Sequence, residues 1–147
     1  MLSLQDMNEK DFLEFKKLSM VNYKNDKIRA NGFTEQEAQD IAEADFKRLL
    51  PDGFTSKDNF LFNLVDQDNK TIGYLWYIVQ GAQDNRKAFI ADIYVEEDNR
   101  GKGLGQKAME LLEVHVKSQG LRHIALHVFA FNERAIGLYK KLGYQTT

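Results

Sequence analysis

The sequence contains no cysteine, and this absence removes several classes of chemistry at once. Without thiols there are no disulfides, no thiolate metal site and no cysteine nucleophile. A single proline, Pro51, stands in one loop, and no low-complexity tract or linker interrupts the chain. We therefore predict one domain spanning residues 1–147, a length that buries a core of ordinary size.

Long apolar runs and an excess of one charge are also missing. No stretch approaches the ~18 apolar residues of a membrane-spanning helix, and the N-terminus lacks the basic and apolar segments of a secretory signal. The formal net charge of −2 gives no reason to expect nucleic acid or an anionic membrane as a partner. The composition is 43% hydrophobic and 29% charged, which is typical of globular proteins. We expect a cytoplasmic protein.

The first part of the sequence predicts a short strand and then two helices. Asn8 is placed to cap the first helix, and Thr34 with Glu37 has the spacing of a capping box that opens the second. The segment between them, residues 22–33, is polar and mixed, with Gly32 as a helix breaker.

The second part predicts antiparallel strands followed by alternating helix and strand. β-branched and aromatic residues predict three strands, at residues 60–65, 71–80 and 87–95. Apolar residues three and four positions apart predict helices at residues 103–119 and 132–142. A further strand is predicted between them, at residues 122–129. Hairpins that lead into a βαβ crossover describe an α/β fold with a mixed sheet and helices on both faces.

A glycine-rich segment stands between the third of these strands and the next helix, at Arg100-Gly101-Lys102-Gly103-Leu104-Gly105. Glycine at every second position lets backbone N–H groups point into a concavity, and the helix N-terminus adds about half a positive charge. With the charges of Arg100 and Lys102, the segment suits a diphosphate. A flexible surface loop with two solvated cations explains the same residues equally well. The spacing matches neither the GxGxxG dinucleotide motif nor the phosphate-binding P-loop.

Two blocks of the sequence resemble the signature of the GCN5-related N-acetyltransferase (GNAT) family. Arg100-x-x-Gly103-x-Gly105 is similar to the family's coenzyme-binding motif, and residues 92–95 are similar to its coenzyme-binding strand. Residues 132–144 resemble the second family block. The resemblance implies the acyl-CoA N-acyltransferase fold, a central mixed and mostly antiparallel sheet with about four helices. It also implies acetyl transfer from acetyl-CoA to a primary amine.

The resemblance assigns a coenzyme site to named residues. The N–H groups of residues 100–105 would cradle the pyrophosphate of coenzyme A. The backbone of Ile93, Tyr94 and Val95 would bind the pantetheine arm, and an N–H near Val95 would polarise the thioester carbonyl. Asn132 stands where the family's asparagine reaches the pantetheine, although it is also well suited as a helix N-cap.

Three residues are candidates for proton transfer. Tyr139 matches the family's general acid, which would protonate the leaving thiolate; a core aromatic at helical spacing is the structural alternative. Asp92 is the first candidate for the base, because side-chain alternation places it on the opposite strand face from Ile93. His127, in the predicted strand 122–129, is the second candidate. We expect no metal, and we expect the other two histidines at the surface, His115 and His123.

Family members usually continue past the second block with one more strand, whereas this chain ends at Thr147. The final strand is therefore expected to be absent, truncated or supplied by another chain. A missing strand would leave an open sheet edge, which favours a homodimer. A non-catalytic acyl-CoA sensor is the alternative function, and a nucleotide-binding module with a coincidental loop is a third. The acceptor, a small-molecule or peptide amine, has no motif in this sequence.

Overall fold

The computed structural model describes residues 1–128 and 131–145. That part of the chain contains five strands and four helices. In chain order they are β1 (Ser3–Asp6), α1 (Glu9–Asn31), α2 (Glu35–Leu49), β2 (Asn59–Val65), β3 (Thr71–Gln80), β4 (Lys87–Val95), α3 (Leu104–Ser118), β5 (Ile124–Leu126) and α4 (Glu133–Lys141). They form two compact units. The first holds the strands and α3, and the second holds α1, α2 and α4.

The sheet has the strand order β1-β2-β3-β4-β5. Its first four strands are antiparallel neighbours, and β5 runs parallel to β4 after the α3 crossover. This confirms the predicted mixed and mostly antiparallel sheet. The strands predicted at residues 71–80 and 87–95 coincide with β3 and β4, because continuous β-branched and aromatic runs mark central strands.

A bulge divides β4 into two parts. Trp76 of β3 lies opposite Asp92, whereas the next residue, Tyr77, lies opposite Ile90. Ala91 is therefore the extra residue on β4. A bulge bends its strand and increases the local twist, so the two parts of β4 run in different directions.

The parallel pairing of β5 with β4 stops at the same place. Its last pair joins Ile90 to Leu126, and β4 continues to Val95 beside β3. β5 is therefore shorter than the strand predicted at residues 122–129. The bend at the bulge carries the second half of β4 away from β5, so the pairing cannot continue past Leu126. Phe129, the last residue of that prediction, lies outside the described residues.

Helix α3 packs on the sheet along one apolar stripe. Its inward residues are almost fully buried: Ala108, Met109, Leu112 and Val116. His115 lies on this stripe, with its ring 5.0–5.7 Å from the rings of Phe60, Phe62 and Tyr77. The expectation of a surface position was therefore wrong for His115, although His123 is exposed as expected. The helical spacing from Ala108 and Leu112 could have revealed its inward orientation.

The helices of the second unit follow their capping signals. The Oγ1 atom of Thr34 accepts from the N–H of Glu37 at 3.2 Å, and the Glu37 carboxylate accepts from the N–H of Thr34 at 2.9 Å. This confirms the predicted capping box of α2. Helix α1 continues through the polar segment to Asn31 and ends at Gly32, which has a φ of 68°. Within the described chain, no helix combines the length and apolar character that crossing a membrane requires.

The close approach of β3 and β4 depends on Gly73, which lies opposite Val95. A Cβ atom at Gly73 would overlap the carbonyl oxygen of Tyr94. We expect Gly73→Ala to lower the free energy of unfolding by about 1–3 kcal/mol, the usual cost of overpacking. Gly137→Ala is the matched control: its Cβ would meet nothing within 4 Å, so it should raise the stability of α4 by about 0.5–1 kcal/mol. Urea denaturation measures both, and an unaffected Gly73→Ala would contradict the close packing.

The buried face of α3 also predicts a pH dependence of stability. Burial lowers the pKa of His115, against the opposing effect of the Asp6 carboxylate. The unfolded chain binds a proton at this ring near pH ~6.5, so below that pH the folded state binds fewer protons. Stability should therefore fall as the pH drops through and below ~6.5.

The test compares urea midpoints between about pH 5 and 8. His115→Phe keeps an aromatic ring and removes the titration, so its loss of stability towards acid pH should be smaller. His123→Gln alters an exposed histidine and should keep the wild-type slope. Equal acid slopes for His115→Phe and the wild type would exclude His115 as the cause.

Candidate functional site

The glycine-rich segment joins β4 to α3 through a 3₁₀ turn, Glu97–Asn99. Gly101 and Gly103 have φ angles of 79° and 75°, in the left-handed region that glycine adopts without strain. Gly103 is the N-cap of α3, and no described side chain makes a capping hydrogen bond there. The N–H groups of the first turn, beginning at Leu104, thus have no capping side chain at the N-cap position. Such a helix N-terminus favours anions.

The second part of β4, residues 92–95, presents backbone groups on the edge where β5 no longer pairs with it. The N–H of Glu96 donates to the carbonyl of Ile72 in β3 at 2.8 Å. Residues at alternate positions, Ile93 and Val95, therefore direct their backbone N–H and C=O groups away from β3. The Val95 carbonyl accepts a hydrogen bond from Arg100 Nε at 2.8 Å. An extended ligand could pair with this stretch of strand beside the loop.

The side chain of Asp92 lies on the face of β4 opposite to the side chains of Ile93 and Val95, in a cluster of aromatic side chains. The Tyr74 hydroxyl donates to Asp92 Oδ2 at 2.8 Å. The Tyr74 ring stacks on Tyr94, with centroids 5.3 Å apart and planes at 20°. The Arg100 guanidinium lies 5.3 Å from the centroid of Tyr94. These contacts confirm that Asp92 and Tyr94 share a face, and they place the carboxylate near the end of the strand that leads into the loop.

Three other large aromatic side chains, which could have lined an acceptor pocket, have structural contacts instead. Trp76 is buried and donates from Nε1 to Asn59 Oδ1 at 2.7 Å. Tyr77 is fully buried on the α3 face, and burial raises its pKa to about 12. In the second unit, the Tyr23 hydroxyl donates to Asp45 Oδ2 at 2.6 Å, and burial with this hydrogen bond raises the pKa of Tyr23.

The other predicted site residues are distributed over both units. His127 belongs to the sheet unit, but it is exposed and follows the end of β5, so its predicted position within a strand was wrong. Asn132 and Tyr139 belong to the second unit. Asn132 Oδ1 accepts from the N–H of Ala135 at 3.3 Å, which confirms the N-cap interpretation. Tyr139 is half-buried, with its ring edge-on to Tyr144 at 5.9 Å.

Comparison with protein families identifies this architecture. Residues 21–144 match the model described as the acetyltransferase (GNAT) family, and the match includes both the glycine-rich segment and α4. The chain belongs to the GNAT family. Members of this family use acetyl-CoA.

Individual relatives of this GNAT chain agree with the family match. The uncharacterised N-acetyltransferase YdgE of Bacillus subtilis (strain 168) is 34% identical over 145 residues, 99% of this chain and 92% of its own length. The crystal structure of YycN, an acetyltransferase by its description, also from Bacillus subtilis, is 30% identical, with a TM-score of 0.94 over 100% of this chain and 94% of that one. Thialysine N-epsilon-acetyltransferase of Mus musculus is 29% identical over 92% of this chain and 74% of its own length. These matches confirm the predicted fold class.

Sequence reasoning missed two contacts of this GNAT site. It did not find that Tyr74 donates to Asp92, nor that Arg100 covers the ring of Tyr94. Both depend on the register of β3 against β4, including the bulge at Ala91, and hairpin pairing alone does not reveal a bulge. Within the part of the chain that the structure describes, no three His, Asp or Glu side chains group as metal ligands.

Proposed function

We propose that this GNAT protein transfers the acetyl group of acetyl-CoA to a primary amine by direct attack within a ternary complex. The supporting observation is the junction of β4 and α3, where outward-directed strand backbone meets a helix N-terminus without a capping side chain. The N–H groups of residues 100–105 would hold the pyrophosphate, with the positive charges of Arg100 and Lys102 beside it. The outward-directed backbone of Ile93 and Val95 would hold the pantetheine arm, whereas the backbone of Tyr94, between them, pairs with β3.

The reaction requires three proton transfers: two from the amine nitrogen and one to the thiolate. An alkylamine with a pKa near ~10 is protonated at neutral pH, so Asp92 would accept its proton, with His127 as the second candidate. The amine nitrogen then bonds to the thioester carbonyl carbon, and a backbone N–H near Val95 would stabilise the oxyanion. When the carbon–sulfur bond breaks, Tyr139 would protonate the departing thiolate. The attacking nitrogen would then lose its second proton, which restores the Tyr139 hydroxyl, and the products are the amide and free coenzyme A. Asn132 would contribute a pantetheine contact besides its capping role.

For the acceptor, we propose a small amine. The similarity to thialysine N-epsilon-acetyltransferase supports a compound with a side-chain ammonium group. Thialysine is therefore the first compound to test, and lysine, spermidine, an aminoglycoside and a short peptide with a free N-terminus cover the other classes.

A screen for thiol release tests the activity. Acetyl-CoA is incubated with each amine, free thiol is followed with a chromogenic reagent, and the acetylated product is identified by mass spectrometry. With at least one amine, we expect the protein to release thiol from acetyl-CoA faster than it does without an amine. Calorimetry with coenzyme A, ATP and NAD accompanies the screen, and only coenzyme A should bind tightly. Tight coenzyme A binding without transfer to any amine would instead favour the non-catalytic sensor.

Substitution of Tyr139 tests the general acid. Tyr139→Phe keeps the ring beside Tyr144 and removes only the hydroxyl, so acetyl-CoA affinity should stay near the wild-type value. The turnover rate should fall by roughly 10²-fold or more, the usual contribution of general acid catalysis. Tyr144→Phe removes a hydroxyl from the neighbouring ring and serves as the matched control, with near-normal turnover. Unchanged turnover in Tyr139→Phe would exclude this mechanism.

A further inference from the structure

We propose that Tyr74 is a positioning residue for the Asp92 carboxylate, holding it oriented and ionised for proton acceptance from the amine. This inference rests on the proposed function, in which Asp92 is the base. No motif of the family resemblance includes Tyr74, and its place in the middle of β3 gives it the appearance of an ordinary core aromatic in the sequence.

The geometry of Tyr74 is well defined. Its side chain is only 4% exposed, and its hydroxyl donates to Asp92 Oδ2 at 2.8 Å. The ring stacks on Tyr94 at 5.3 Å, and the antiparallel pairs Tyr74–Tyr94 and Trp76–Asp92 fix the backbone on both strands. Neither the phenol nor the carboxylate is placed by a mobile loop.

A second tyrosine on β3, Tyr77, provides a comparison for Tyr74, because it is buried without a hydrogen bond to its hydroxyl in the described part of the chain. Tyr77 is 0% exposed, and its hydroxyl has no hydrogen-bond partner among the described residues. A buried hydroxyl without a partner costs stability, so the Tyr77 side chain contributes chiefly its ring. Tyr74 differs because its hydroxyl meets the carboxylate. β3 therefore carries two buried tyrosines, of which one directs its polar atom at the proposed base.

This contact has a definite chemical effect. A hydrogen bond from a neutral phenol to a carboxylate favours the ionised form and restricts its rotation. A base must be unprotonated and correctly directed when the amine arrives. Tyr74 on β3 donates to the Asp92 carboxylate, its ring stacks on Tyr94 of the same strand as Asp92, and Arg100 lies over the Tyr94 ring.

The first experiment follows Asp92 directly in the full-length protein without coenzyme or acceptor. Carbon-13 NMR titrates the aspartate carboxyl groups, and Asp92→Asn assigns the resonance. In Tyr74→Phe the titration midpoint of Asp92 should rise by about one pH unit or more, the effect expected from losing a hydrogen bond to a charged group. Tyr77→Phe is the matched control and should leave the midpoint unchanged. An unmoved midpoint in Tyr74→Phe would overturn the proposal.

The second experiment measures the consequence for the reaction with acetyl-CoA and thialysine, or with the amine that the screen selects. In Tyr74→Phe the acid limb of kcat/KM against pH should move to higher pH, with kcat near neutrality about tenfold lower and acetyl-CoA affinity unchanged. A residue that only stabilised the fold would lower the melting temperature without moving the limb. In an Asp92→Asn background, Tyr74→Phe should cause no further loss of rate.

Two outcomes separate the base role of Asp92 from the positioning role of Tyr74. Full activity in Asp92→Asn would remove the base role and with it the catalytic part of this proposal. If Asp92→Asn is inactive while Tyr74→Phe matches Tyr77→Phe in rate, pH profile and NMR midpoint, only the positioning role of Tyr74 is wrong.

Discussion

The bulge at Ala91 is the constraint on which the rest of the site depends. It ends the parallel pairing of β4 with β5 at Ile90 and lets residues 92–95 continue beside β3 alone. A regular β4 would keep both neighbours, and its outward backbone groups would be used up in sheet hydrogen bonds. The bulge instead leaves one short stretch of strand that can pair with a ligand. It also determines which residues face Tyr74 and which direct their backbone groups outward.

The backbone edge and one side-chain face of this strand segment carry different parts of the proposed chemistry. The backbone of Ile93 and Val95 offers hydrogen-bonding groups in the plane of the sheet, next to the N-terminus of α3. The side chain of Asp92 projects from the sheet and is held by Tyr74. Because side chains and backbone groups of one strand point in perpendicular directions, a single segment can bind an extended coenzyme and still present a carboxylate. Arg100 contacts both parts, through the Val95 carbonyl and the Tyr94 ring.

The sequence predicted best those features that are encoded locally. The capping box of α2, the bounds of β3 and β4, and the glycine-rich turn into α3 each depend on residues close together in the chain. The length of β5, the inward side chain of His115 and the contact between Tyr74 and Asp92 were not predicted. Each of these depends on register or packing between distant segments, and one extra residue in β4 changes the register for every residue beyond it. The family resemblance supplied Tyr139 and Asn132, which periodicity alone would have assigned to packing and capping.

The same distinction explains why the donor can be identified more closely than the acceptor. A pyrophosphate and an extended amide chain are recognised by backbone groups, and the backbone conformation that exposes them requires glycines at particular positions, which the sequence displays. A small amine has neither repeat nor extended shape, so its recognition relies on side chains contributed by separate elements. Asp92, the proposed base, is a group of this kind, and its contact with Tyr74, 18 positions earlier in the chain, depends on the pairing of β3 with β4. On the proposed function, acceptor chemistry would therefore depend on strand register, whereas most of the donor contacts would come from one continuous segment.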